Sequence, residues 1–195
     1  MKDFFGNPYS KGQYEYLAAR KRQQLHFTLV CAFVVIAFVA AGLIVYHSTK
    51  NILTVPGVLM VLPAANFFVT WLALGKGKPL DEARRQQVRV YEDSGLALFH
   101  LMYVDEKGKR FFLEHVTVYQ NAVVAFAPSV KDSERVPLES DCIMRLRKKG
   151  INLRLKVYGD WAEYVKRLQE INPEVPEDQV KLVEKAQEVM LGMSL

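Results

Sequence analysis

The fold turns on residues 27–74, which read FTLVCAFVVIAFVAAGLIVY (Phe27–Tyr46), HSTKN (His47–Asn51) and ILTVPGVLMVLPAANFFVTWLAL (Ile52–Leu74). Neither apolar run holds an Asp, Glu, Lys or Arg. About 20 residues at 1.5 Å each cross ~30 Å of hydrocarbon, and a backbone in lipid has to satisfy its own hydrogen bonds. Both runs are therefore expected to be membrane-spanning helices, with a link so short that they form an antiparallel hairpin. A buried pair of core helices would need a larger surrounding domain than a chain of 195 residues provides. A signal peptide is not expected either: 26 mostly polar residues precede the first run and a second run follows it.

Lysine and arginine set the expected orientation. Lys2, Lys11, Arg20, Lys21 and Arg22 lie before the hairpin, Lys76, Lys78, Arg84, Arg85 and Arg89 after it, and the link carries only Lys50. The positive-inside rule then places both termini in the cytoplasm, as an integral membrane protein of two transmembrane helices. The same partition explains a net charge of +5. Residues 1–25 hold five basic and two acidic side chains, whereas residues 75–195 hold twenty and nineteen. The excess positive charge belongs to the membrane flanks, so nucleic acid is not an expected partner. The expected partners are anionic lipid headgroups at the flanks, at roughly 1 kcal/mol per basic residue near the surface, and a protein at the cytoplasmic face.

Three regions follow: an amphipathic arm (1–25), the hairpin (26–75, spans 27–46 and 52–74) and a cytoplasmic α/β domain (76–195). In the arm, Ser10 is expected to cap a helix running into the first span through Tyr14, Leu17, Ala18 and Leu25. Whether the arm lies on the membrane or docks on the domain stays open at this level. In the spans, Ala37 and Ala41 permit close helix contact, and Pro63 with Asn66 offers a kink and a hydrogen bond across the hairpin. Cys31 and Cys142 lie in different environments and match no metal or redox spacing.

The domain reads α-β-β-β-α-β-α-α. A helix over Leu80–Glu92 precedes strands at Leu96–Val104, Phe111–Val118 and Ala122–Ala127, with turns at 105–108 and Gln120–Asn121. Ala122–Ala127 is apolar on both faces and should lie centrally in the sheet. A helix over Val136–Lys149 is expected, with Pro137 in its first turn and Gly150 closing it. Ile151–Tyr158 alternates as a half-exposed strand. Asp160-x-x-Glu163 opens a helix with Trp161, Tyr164, Val165, Leu168 and Ile171 on its buried side. A last helix spans about Glu177–Leu191, and Leu191, Met193 and Leu195 are left to meet the bilayer or a partner.

The segment Glu114-His115-Val116-Thr117-Val118-Tyr119-Gln120-Asn121-Ala122-Val123-Val124-Ala125-Phe126, set in an α-β-β-β-α-β order, resembles the hairpin of nuclease-related domains of the restriction-endonuclease-like fold. That resemblance covers about residues 80–158 in element order and about fifteen residues in sequence. It implies an acid on the second strand, at Glu114, and an acid and a lysine closing the third strand around a divalent metal. The latter positions here are Ala127 and Ser129, so a working metal site is not expected there. An enzyme with a displaced site would need Glu114 to gather Asp93, Asp105 or Glu106. Glu114 and His115 are the one acid–base pair within a strand, and alternation should turn one of them outward into water.

No phosphate-binding glycine loop, nucleophile elbow, zinc-protease or kinase motif is present. The expectation is a membrane-anchored binding, scaffold or accessory module, with no catalytic, cofactor or metal residues assigned. The alternatives are a nuclease-like enzyme with a degenerate site and an accessory subunit of a membrane transport or secretion complex.

Overall fold

A computed structural model describes residues 9–47, 52, 54–75, 77–119 and 122–194. The Gln120–Asn121 turn, Leu195 and most of the polar link lie outside these residues. The chain divides into two compact units: Glu15–Gly77, and Ser10–Tyr14 together with 78–194.

The first unit is a pair of helices, α1 (Tyr16–Tyr46) and α2 (Thr54–Leu74), both long and apolar enough to cross a membrane. At 1.5 Å per residue α1 is about 46 Å long, more than a bilayer core. It ends at His47, whose left-handed backbone (φ 48°) lets its N–H donate to Leu43 O at 3.0 Å. The helices approach closely at Gly57, where a Cβ would lie 3.4 Å from Phe38 Cβ and 3.7 Å from Val35 O. Gly57 of the second helix faces Val35–Val39, and Gly42 of the first is likewise buried. Phe27 stacks on Phe67 at 5.3 Å, and Lys21 Nζ lies 5.8 Å over the Trp71 ring. Pro63 is accommodated inside α2, and Asn66 takes part through its carbonyl, which accepts from Thr70 Oγ1 at 2.9 Å.

The second unit runs α3 (Glu82–Asp93), β1 (Ala97–Val104), β2 (Arg110–Tyr119), β3 (Ala122–Phe126), α4 (Asp132–Lys148), β4 (Arg154–Tyr158), α5 (Trp161–Gln169) and α6 (Glu177–Gly192). This is the α/β order read from the sequence. The strands form one sheet in the order β1-β2-β3-β4; the first three are antiparallel and β4 runs parallel to β3. β3 is central and its Val123–Phe126 are buried, as its doubly apolar sequence requires. Ala122, Val124, Arg154 and Lys156 face α5, whereas Leu153 and Leu155 face Ile143 and Arg147 of α4. Helices therefore cover both faces. Val116, Val123, Leu146, Ile151 and Tyr164 are fully buried at the centre.

Several local readings are corrected. Ser10 does not cap a helix: its N–H donates to Gln13 Oε1 at 2.9 Å in a turn, and α1 starts six residues later, at Tyr16. The reason is that Ser10–Tyr14 packs on the α/β unit. Gly12 O accepts from Phe99 N–H at 2.7 Å, Tyr14 Oη donates to Leu80 O at 2.8 Å, and Lys11 Nζ donates to Ser194 O at 3.3 Å. Helix α4 begins at Asp132, four residues before the expected start, because Asp132 and Glu134 suit the positive end of a helix dipole. Pro137 consequently sits beyond the first turn, where it leaves the Ser133 carbonyl without its helical donor. At the other end Gly150 (φ +76°) donates to Arg147 O at 2.9 Å and Ile151 N–H to Leu146 O at 3.0 Å. That paired pattern needs a left-handed residue at position 150. Asp160 Oδ1 accepts from Glu163 N–H at 3.0 Å, the expected cap of α5. Leu191 and Met193 pack on the core of their own unit, and Ser194 bridges to Tyr103, so these residues are not left for a bilayer.

Candidate functional site

Among the described residues of the α/β unit the buried polar side chains are His100, Glu114, His115 and Thr117, all on β1 and β2. Alternation would separate Glu114 from His115, yet Glu114 is 7% exposed and His115 fully buried. Neither turns outward into water, and the cause is a turnover of the hairpin. His100 has φ +55°, left-handed for a residue inside a strand. The pairing passes from Phe99↔His115 to Leu101↔Leu113, with His100 and Glu114 unpaired between them.

Two neighbours in sequence then share a face. Phe99 and His100 both lie against Tyr14, with ring centroids at 5.6 and 5.2 Å. Beyond this point the faces exchange. Phe99 and His115 belong to the side of α5, but Tyr103 Oη bonds Asp141 of α4, with the Arg145 guanidinium 5.2 Å over the Tyr103 ring. His100 Nε2 accepts the Leu80 N–H at 3.0 Å, which holds the start of α3 to the turnover.

His115 is fixed from the opposite layer. Its Nδ1 pairs with Tyr164 Oη, and Thr117 Oγ1 lies 3.3 Å from the same hydroxyl. Its Nε2 is buried without a hydrogen-bond partner among the described residues. Burial, aided by His100, pushes the His115 imidazole down to about 3, so it is neutral at physiological pH. Burial pushes the Glu114 carboxyl up, while Arg84 and Lys78 pull it back. Arg84 in turn lies 5.3 Å over Trp161 and 5.8 Å over Phe126. Tyr164 and Tyr103 are held neutral by burial, and the Cys142 thiol is pushed up to about 12.

A catalytic divalent ion does not fit these residues. Ala127 is buried and uses its N–H on Tyr158 O at 2.8 Å, and Ser129 is exposed. The carboxylates that might join Glu114 are engaged elsewhere. Asp93 pairs with Arg89 at 3.8 Å, Asp105 Oδ1 accepts from Lys107 and Lys109 N–H at 2.9 and 2.7 Å, and Glu106 pairs with Lys148 at 3.6 Å. Among the described residues no three His, Cys, Asp or Glu side chains form a metal-holding group. The cluster joins β2 to α5 and β1 to the start of α3, with the His115 imidazole fully buried. Sequence reading found Glu114 and His115 but missed Thr117 and Tyr164. The available signal was that a tyrosine on a buried helix stripe needs a partner for its hydroxyl.

The cluster makes stability pH-dependent. His115 is depressed in the fold, so the unfolded chain takes up more protons below about 6.5, and stability falls as pH falls. The loss is about 2 kcal/mol at pH 5 from this group. Glu114 has the opposite sign, since protonation relieves its burial, and offsets part of the loss. Imidazole nitrogen shifts should show His115 neutral at pH 5 while the urea midpoint drops; titration of His115 near 6.5 contradicts the assignment.

Comparison with known proteins finds no family model, no curated protein and no solved structure that matches this chain.

Proposed function

We propose that the chain is a membrane-tethered docking module. Its hairpin spans the bilayer with both termini in the cytoplasm, the basic flanks lie on anionic headgroups, and the α/β unit holds a protein partner at the cytoplasmic face. The observation that carries this reading is the outward apolar surface of the hairpin. Phe33, Ile36, Ile44 and Leu62 are 65–74% exposed, and hydrocarbon is the solvent that suits such a surface. The flanking Lys and Arg pattern supports the orientation. For the α/β unit, the support is that buried His100, His115 and Thr117 fasten strands to the elements packed on them, which points to its surface as the working part.

A second reading, a nuclease-like fold with a degenerate site, draws support from the α-β-β-β-α-β order and from Glu114 on the second strand. The donor set around Glu114 counts against catalysis by it. Purification of the full chain in mild detergent tests the docking reading: a stoichiometric protein partner is expected in repeated preparations. A clean monomer or homo-oligomer in all of them contradicts it.

A further inference from the structure

We propose that the free edge of β4 is a docking strand for an extended acidic segment of a protein partner; this rests on the docking reading above. The sheet has two edges, and the fold treats them differently. The β1 edge is closed by the ends of the chain: Gly12 O takes the Phe99 N–H at 2.7 Å, Ser194 bridges to Tyr103, and Lys11 Nζ reaches Ser194 O at 3.3 Å. Among the described residues no strand closes the β4 edge. Tyr158 turns its carbonyl to β3, accepting from Ala127 N–H at 2.8 Å, so Val157 and Leu155 turn their main chain outward. Val157 N–H is taken by Glu139 Oε1 at 2.8 Å, as a partner's carbonyl would take it. By the same alternation the Leu155 N–H and C=O point along the edge, where an added strand would pair.

Charge around this edge selects the occupant. On the α5 side a groove of about 690 Å³ presents Arg154, Lys156, Lys166 and Arg167 against Glu163 and Glu170. On the α4 side a groove of about 640 Å³ presents Arg147 beside Ile143 and Leu153. Arg167 is paired with Glu170, and Lys156 lies 3.5 Å from Glu139. Arg154, Lys166 and Arg147 make no ion pair among the described residues. Basic side chains on an edge strand repel a second copy of the same strand, and they attract an acidic one. A segment alternating acidic and apolar residues would set carboxylates on Arg154 and Lys166 and apolar side chains against Ile143 and Leu153.

The probe is a fluorescent ten-residue peptide of alternating Val and Glu, titrated into the full chain in detergent micelles and followed by anisotropy. Saturable binding is expected, weakened about 10-fold or more by Arg154→Glu with Lys166→Glu, two exposed pairs' worth of attraction. A peptide of the same sequence N-methylated at every residue cannot donate to a ladder and should bind at least as weakly. Both substitutions are on exposed side chains, and an unchanged urea midpoint verifies that the unit stays folded. No saturable binding, equal binding by the double variant, or equal binding by the N-methylated peptide overturns the assignment. A stoichiometric partner retained undiminished by the double variant overturns the β4 assignment and leaves the docking reading standing. Peptide binding with no stoichiometric partner overturns the docking reading instead.

Discussion

Tyr164→Ala is expected to destabilise the α/β unit by about 4–5 kcal/mol, and Tyr164→Phe by about 2–3 kcal/mol. Tyr164 is fully buried, lies within 5.5 Å of the Phe126 and Trp161 ring centroids, and serves His115 and Thr117 with one hydroxyl. Removing a buried aromatic ring costs about 3–5 kcal/mol through lost transfer energy and a cavity. The alanine variant also strands two buried polar groups, each about 1–3 kcal/mol if left unpaired; partial collapse of the cavity keeps the total below the sum. The phenylalanine variant keeps the ring and isolates the polar contribution. Trp161 reports the transition by fluorescence in urea, with Trp71→Phe removing the other tryptophan. A Tyr164→Phe midpoint equivalent to less than about 0.5 kcal/mol contradicts the assignment of the hydroxyl.

Gly12→Val is expected to detach the amino-terminal segment from the β1 edge. Gly12 has φ +90°, and a Cβ there would lie 2.8 Å from Leu98 Cδ2 and 3.1 Å from Leu191 Cδ2. A left-handed backbone costs an ordinary residue roughly 1–2 kcal/mol, and overpacking adds about 1–3 kcal/mol. The segment can yield without unfolding the sheet, so the effect falls on its own contacts. Hydrogen exchange at the Phe99 amide, which donates to Gly12 O, should accelerate about 100-fold, the equivalent of ~2.7 kcal/mol. The Tyr14–Leu80 bond should loosen with it, whereas amides of central β3 keep their protection. Unchanged Phe99 protection in Gly12→Val means that the segment does not close this edge.

These two variants mark where sequence reading succeeds and where it stops. The two long helices were legible because each run is unbroken and holds no charge, and α5 because Asp160 and Glu163 stand at capping distance. The first three strands follow from alternation and turn residues, whereas β4 starts at Arg154 and not at the expected Ile151, whose N–H closes α4 on Leu146 O. The polar cluster was half legible. Glu114 and His115 stand together in the sequence, but their shared burial depends on the left-handed His100 fourteen residues from Glu114, which no local pattern announces. Tyr164 was placed on a buried stripe by periodicity, but its partner lies 49 residues away. Ser10 misled for a related reason. It has the chemistry of a helix cap, yet tertiary contacts of Gly12 and Tyr14 recruit its segment to a sheet edge and delay the helix to Tyr16. Pro137 misled because a first-turn proline is common, whereas acidic residues upstream carried the helix start back to Asp132.

Topology mapping by thiol labelling tests the account most directly. In a Cys31→Ala, Cys142→Ala background, single cysteines are introduced as Ser48→Cys in the link between the apolar runs and Lys107→Cys in the exposed turn between β1 and β2. A membrane-impermeant maleimide is expected to label position 48 in intact cells and position 107 only after permeabilisation. Labelling of both positions in intact cells, or of position 107 alone, contradicts a hairpin that carries the α/β unit on the cytoplasmic face.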